Sequence, residues 1–95
     1  MIHTVSHPGA ILAETLEDLG ISVSQAARDL GVSRQLLSGI LNERRPVTPE
    51  MAVRVGQYLG NGPEIWARMQ TSYDLRQAEQ SLRDDLRKIP NVAAA

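Results

Sequence analysis

Four polar residues recur at helical spacing in the middle of the chain: Arg34, Gln35, Ser38 and Asn42. On a wheel at about 100° per residue they fall within an arc of roughly 100°. Leu36, Leu37, Ile40 and Leu41 occupy the opposite side. A guanidinium, two carboxamides and a hydroxyl, with no carboxylate among them, can hydrogen-bond base edges in a DNA major groove or phosphate oxygens beside it. Arg44 and Arg45 follow in a charged loop, Glu43 to Val47, which would lie along a DNA backbone. On an isolated segment the same residues describe an amphipathic helix with a solvated face and a solvated connector. The residues before them tip the balance.

Ser33 stands where a short hydroxyl can cap the first turn of that helix. Upstream, Ser24 occupies another cap position, and Ala26, Ala27 and Leu30 give a narrow apolar face. Gly31 falls where a first helix must stop and the chain reverse, a position that favours a left-handed backbone. Ser24 to Asn42 therefore reads as a helix-turn-helix, with Ser33 to Leu41 as its second helix.

Other helices must hold this unit. Pro8 suits a first helical turn, Leu12, Leu16 and Leu19 recur beside Ile11, and Gly20 ends the element. Thr48-Pro49-Glu50 combines a hydroxyl cap, a first-turn proline and an acid at the positive end of a helix dipole. Met51, Ala52, Val55, Tyr58 and Leu59 then share a face, and Gly60 closes the helix. Gly62-Pro63-Glu64 opens the last helical stretch. Here Ile65, Trp66, Met69 and Tyr73 share one arc, with Trp66 read as core, while Leu75, Ala78, Leu82, Leu86 and Ile89 share an arc almost opposite. A straight helix from Pro63 to Ile89 would change its buried side near Asp74. Either the chain bends there, or its second half packs on something else, a second copy or a different partner. Pro90 to Ala95 reads as a frayed end.

Ninety-five residues suit one small domain with a modest core. We expect a single all-α domain over 1–95, with residues 7–60 as the helix-turn-helix core and 63–89 as the C-terminal helix or helices. The chain has no cysteine, which removes disulfides and thiolate metal sites and fits a reducing compartment. No apolar run is long enough for a bilayer and the N-terminus lacks a signal-peptide pattern, so a cytoplasmic protein is expected. His3 and His7 have no acid or cysteine at ligand spacing, so no metal or cofactor is expected, and His7 reads as the entry to the first helix. Glu14-Glu17-Asp18 and Asp84-Asp85 have no nucleophile or base around them, which argues against an enzyme. A net charge of −1 argues against binding nucleic acid by bulk electrostatics. The distribution is polarised, however: acids crowd the first helix, and Arg34, Arg44 and Arg45 surround the second helix of the motif.

The strings HPGAIL at 7–12, SQAARDLGVSRQLLSGILN at 24–42, RRPVTPEMAVRVGQYLG at 44–60 and PEIWARMQTSYDLRQAE at 63–79 together resemble the HigA-type antitoxins. These form a branch of the helix-turn-helix group that includes the Cro and phage-repressor DNA-binding domains. The resemblance implies a five-helix repressor-like domain with a C-terminal helical extension, working as a homodimer. It implies operator DNA carrying an inverted repeat, and a toxin partner similar to the HigB ribonucleases that cleave messenger RNA. It carries DNA contacts onto Gln25, Ser33, Arg34, Gln35 and Ser38, with Asn42 at the helix exit. This chain departs from the pattern at Glu43, where glycine is common, and at Gly39, where a larger residue is common. Two other readings use the same residues: a stand-alone regulator of the same fold without a toxin, and a helical interaction module that has lost DNA binding.

Overall fold

The computed structural model describes residues 6–93, so His3, Ala94 and Ala95 lie outside it. Six helices follow in order: α1 Pro8–Asp18, α2 Val23–Leu30, α3 Arg34–Leu41, α4 Pro49–Leu59, α5 Pro63–Ser81 and α6 Arg83–Leu86. Local chemistry sets most of their ends. Ser33 and Thr48 accept from amides in the first turns of α3 and α4, and left-handed glycines at 31 and 60 stop α2 and α4. None of these helices is long and apolar enough to cross a membrane.

One cap differs from expectation, and the entry residue of α1 proves to be a cap. Ser22, not Ser24, caps α2: its hydroxyl accepts from the Gln25 amide at 3.1 Å. The chain leaves α1 through Gly20, and the Ile21 amide bonds back to the Leu16 carbonyl, which brings Ser22 to the cap position. At α1 the cap is a histidine, buried His7, whose Nδ1 accepts from the Gly9 amide at 2.9 Å. The same ring meets Tyr73 of α5 edge-on, with centroids 4.9 Å apart. His7 thus closes the start of α1 and ties it to α5.

The core is built from Leu12 and Leu16 of α1, the small face Ala26, Ala27 and Leu30 of α2, and Leu37 and Ile40 of α3. Val47, then Met51, Ala52 and Val55 of α4, and Trp66 of α5 complete it. Trp66 is 2 % exposed and satisfies its indole N–H on the Asn61 side-chain oxygen at 2.9 Å. Two glycines let backbones touch. A Cβ at Gly9 would sit 1.8 Å from the Ile40 carbonyl oxygen at the end of α3, and one at Gly56 would collide with Gly62 at the start of α5.

The long C-terminal stretch is one continuous helix through Asp74, where the change of face allowed either a bend or a second half packed on something else. It ends at Leu82, where φ is −98° and ψ is 8°, and the single turn α6 follows. Its first half packs on α4 and α1 through Trp66 and Met69. Ile65 was grouped with them on the wheel but faces solvent, 47 % exposed. Beyond Tyr73 the helix leaves the body of the molecule, whose extents are 54 × 27 × 21 Å. Leu75 on its outer half, Leu82 at its C-cap, Leu86 in α6 and Ile89 beyond are all exposed.

Candidate nucleic-acid interface

The helix α3 is presented by α2 and the turn between them. Gly31 adopts φ 73°, its amide bonds to Arg28 O and the next amide, Val32, bonds to Ala27 O. These bonds pair the last carbonyls of α2 and reverse the chain within two residues. Arg54 of α4 adds a second restraint, donating from Nη1 to the Leu30 carbonyl at 2.9 Å. Leu37 and Ile40 then bury one side of α3, leaving Arg34 and Gln35 exposed and Ser38 half-buried on the other.

Arg34, Gln35 and Ser38 line one open groove of about 570 Å³ with Gly39, Arg44 and Arg45. Five of the eight residues expected to meet DNA are brought together here. Among the described residues no carboxylate forms an ion pair with Arg34, Arg44 or Arg45, whereas Arg54 and Arg76 lie against glutamates on their own helices. The groove holds three guanidiniums, a carboxamide and a hydroxyl. Anionic oxygens and the acceptors of guanine are its natural ligands.

The loop that carries two of those arginines is tightly held. Glu43 takes the left-handed conformation, φ 63°, the one non-glycine residue with positive φ among those described. The amides of both Arg44 and Arg45 then reach the Gly39 carbonyl, at 2.8 and 3.2 Å. Further on, Val47 is buried and its amide donates to Oε1 of buried Gln70 at 2.7 Å. Gln70 in turn donates to Asp74 at 2.9 Å. The loop is pinned to α3 at one end and to α5 at the other.

Three expected contact residues stand apart from the groove. Ser33 spends its oxygen on the Leu36 amide at 3.0 Å, and its O–H remains to donate. Asn42 folds back onto Ser38, donating to its carbonyl at 2.8 Å and its hydroxyl at 3.3 Å. Gln25 lies at the start of α2 between Arg28 and Asp29, accepting from Arg28 Nη2 at 2.9 Å and donating to Asp29 at 2.7 Å. Tyr58 of α4 donates to the other oxygen of Asp29, and that hydrogen bond, with some burial, pushes the phenol above its ordinary value. Gln70 and the underside of Arg45 at Gly39 were not foreseen as parts of this site. Gln70 is one of three glutamines on α5, and its bond to an amide 23 residues away sets it apart from the other two.

The helix-turn-helix family profile matches residues 12–66. The Pseudomonas aeruginosa antitoxin HigA, solved with the higBA promoter, superposes with a TM-score of 0.88 at 30 % identity, over 94 % of this chain and 98 % of that one. The antitoxin GraA in complex with its operator gives a TM-score of 0.84 at 38 % identity, over 94 % and 91 %. An Escherichia coli K12 relative, described as the HTH-type transcriptional regulator YddM, is 31 % identical over 75 residues, 79 % of this chain and 80 % of its own.

Proposed function

The chain belongs to the helix-turn-helix family, alongside the HigA antitoxins, and from that premise we propose that it is a sequence-specific DNA-binding antitoxin. In this reading it neutralises a HigB-like toxin that cleaves messenger RNA and represses the operon they share. The observation that carries it is the arginine-rich groove on α3, on the helix that the family turns toward DNA. A homodimer sets two copies of α3 in successive major grooves of an inverted repeat. Gln25, Ser38 and the arginine loop grip phosphates and set register, with Ser33 and Asn42 at the two ends of the reading helix. Arg34 and Gln35 meet base edges. The exposed apolar row Leu75, Leu82, Leu86 and Ile89 supplies the surface for assembly, away from the groove.

The test is co-expression with the protein encoded next to this chain, purification, and a gel-shift assay on the upstream region. A co-purifying complex and a specific shift support the reading; neither appearing ends it. A specific shift without a complex favours the stand-alone regulator, for which the relative YddM is the precedent by its description. Arg34→Ala should cost about 1–3 kcal/mol on the operator and relax preference at one base position. Equal loss on random DNA would assign Arg34 to phosphate.

A further inference from the structure

Arg45 follows α3 in the loop that begins at Glu43. Its stem lies back across the recognition helix. A Cβ built at Gly39 would meet Arg45 Cδ at 3.0 Å, Cγ at 3.2 Å and Nε at 3.3 Å. The guanidinium end of Arg45 thus begins where the side chain of residue 39 would otherwise emerge. The backbone is made for this arrangement: Glu43 turns left-handed, and the Arg44 and Arg45 amides both fasten on the Gly39 carbonyl. Position 39 adjoins Gln35 on the wheel, so the arm extends the polar arc on that flank.

We propose that Arg45 serves as the missing side chain of position 39 and reads a base beside Gln35, with Gly39 as its seat. This rests on the DNA-binding reading and revises it at one residue, moving Arg45 from the phosphate contacts to base readout while Arg44 stays on phosphate. Glycine in the middle of α3 lowers helix propensity relative to alanine, and in exchange it admits a two-headed guanidinium able to bind guanine O6 and N7.

The experiment measures binding of Arg45→Ala, Gly39→Ala, Gly39→Leu and the double variant Gly39→Leu/Arg45→Ala to the operator and to random DNA. Circular dichroism checks that each is folded. Arg45→Ala should lose roughly 5- to 150-fold on the operator, with a much smaller loss on random DNA. Gly39→Ala, which nudges the arm, should lose less than Gly39→Leu, which displaces it. The double variant should bind no worse than Arg45→Ala alone, because both changes remove the same contact. Equal losses on both DNAs for Arg45→Ala, or wild-type operator binding by Gly39→Leu, would overturn the proposal while the DNA-binding reading stands. Absence of operator binding by the wild-type chain would sink both.

Discussion

Leucine is treated in opposite ways at the two ends of this molecule. In α1 and α3, Leu12 and Leu37 are wholly buried, and each backbone around them is matched to a neighbour. On the outer half of α5 and on α6, Leu75 is 60 % exposed and Leu82 and Leu86 nearly half exposed. The inner region spends its apolar groups on its own stability. The outer one keeps a row of them unspent, and among the described residues nothing covers it. A row of this kind on a projecting helix marks an interaction surface rather than a core. The folded core and the proposed assembly surface therefore occupy separate parts of one short chain.

Substitutions can break or sharpen that division. The largest effect is expected at Gly9→Ala, where the new methyl meets the Ile40 carbonyl oxygen and forces α1 off α3. A loss of about 3 kcal/mol, read by chemical denaturation, is expected from overpacking against backbone. A loss under about 1 kcal/mol would show that the two helices slide freely. Gln70→Leu leaves the buried Val47 amide without its acceptor and should cost about 2 kcal/mol. It should also loosen the arginine loop, so operator affinity falls further than that of a core variant of equal stability.

Glu43→Gly has the opposite sign. Relief of the left-handed backbone, less the added freedom of the unfolded chain, should raise stability by about 0.5–1 kcal/mol. It also removes a carboxylate beside Arg44, so binding to specific and random DNA should tighten together. The smallest effect on folding belongs to the outer region. Leu82→Ser with Leu86→Ser should leave stability within about 0.5 kcal/mol under conditions where the chain is monomeric. Sedimentation should nevertheless show lost self-association or lost partner binding. A large drop in monomer stability would place these leucines in the fold and erase the division.

What was legible in the residues is what depends on neighbours close in sequence. Ser33, Gly31, Thr48 and Pro63 announce helix ends because each acts on backbone within a few positions. Arg34, Gln35 and Ser38 were legible as a face because helical spacing alone puts them together. Where two local solutions compete, distant packing decides. Ser22 and Ser24 can both cap, and the run of the chain out of α1 selects Ser22. His7 went unread as a cap because imidazole seldom fills that role, and its burial under Tyr73 makes it suitable. The change of apolar face near Asp74 was visible, yet a helix can change faces without bending when its second half has nothing to pack against. Arg45 on Gly39 and Gln70 under Val47 are tertiary, and no spacing rule exposes them.

Gln70 has a further consequence. It sits on α5, the rod whose far end carries the uncovered leucines, and it holds the loop from which Arg44 and Arg45 hang. In the proposed reading, a toxin on those leucines and an operator in the groove would be joined through one helix and one amide. Any such coupling is a shared free energy and must be reciprocal. Whatever factor the occupant of the rod changes operator affinity by, operator DNA must change the occupant's affinity by that same factor.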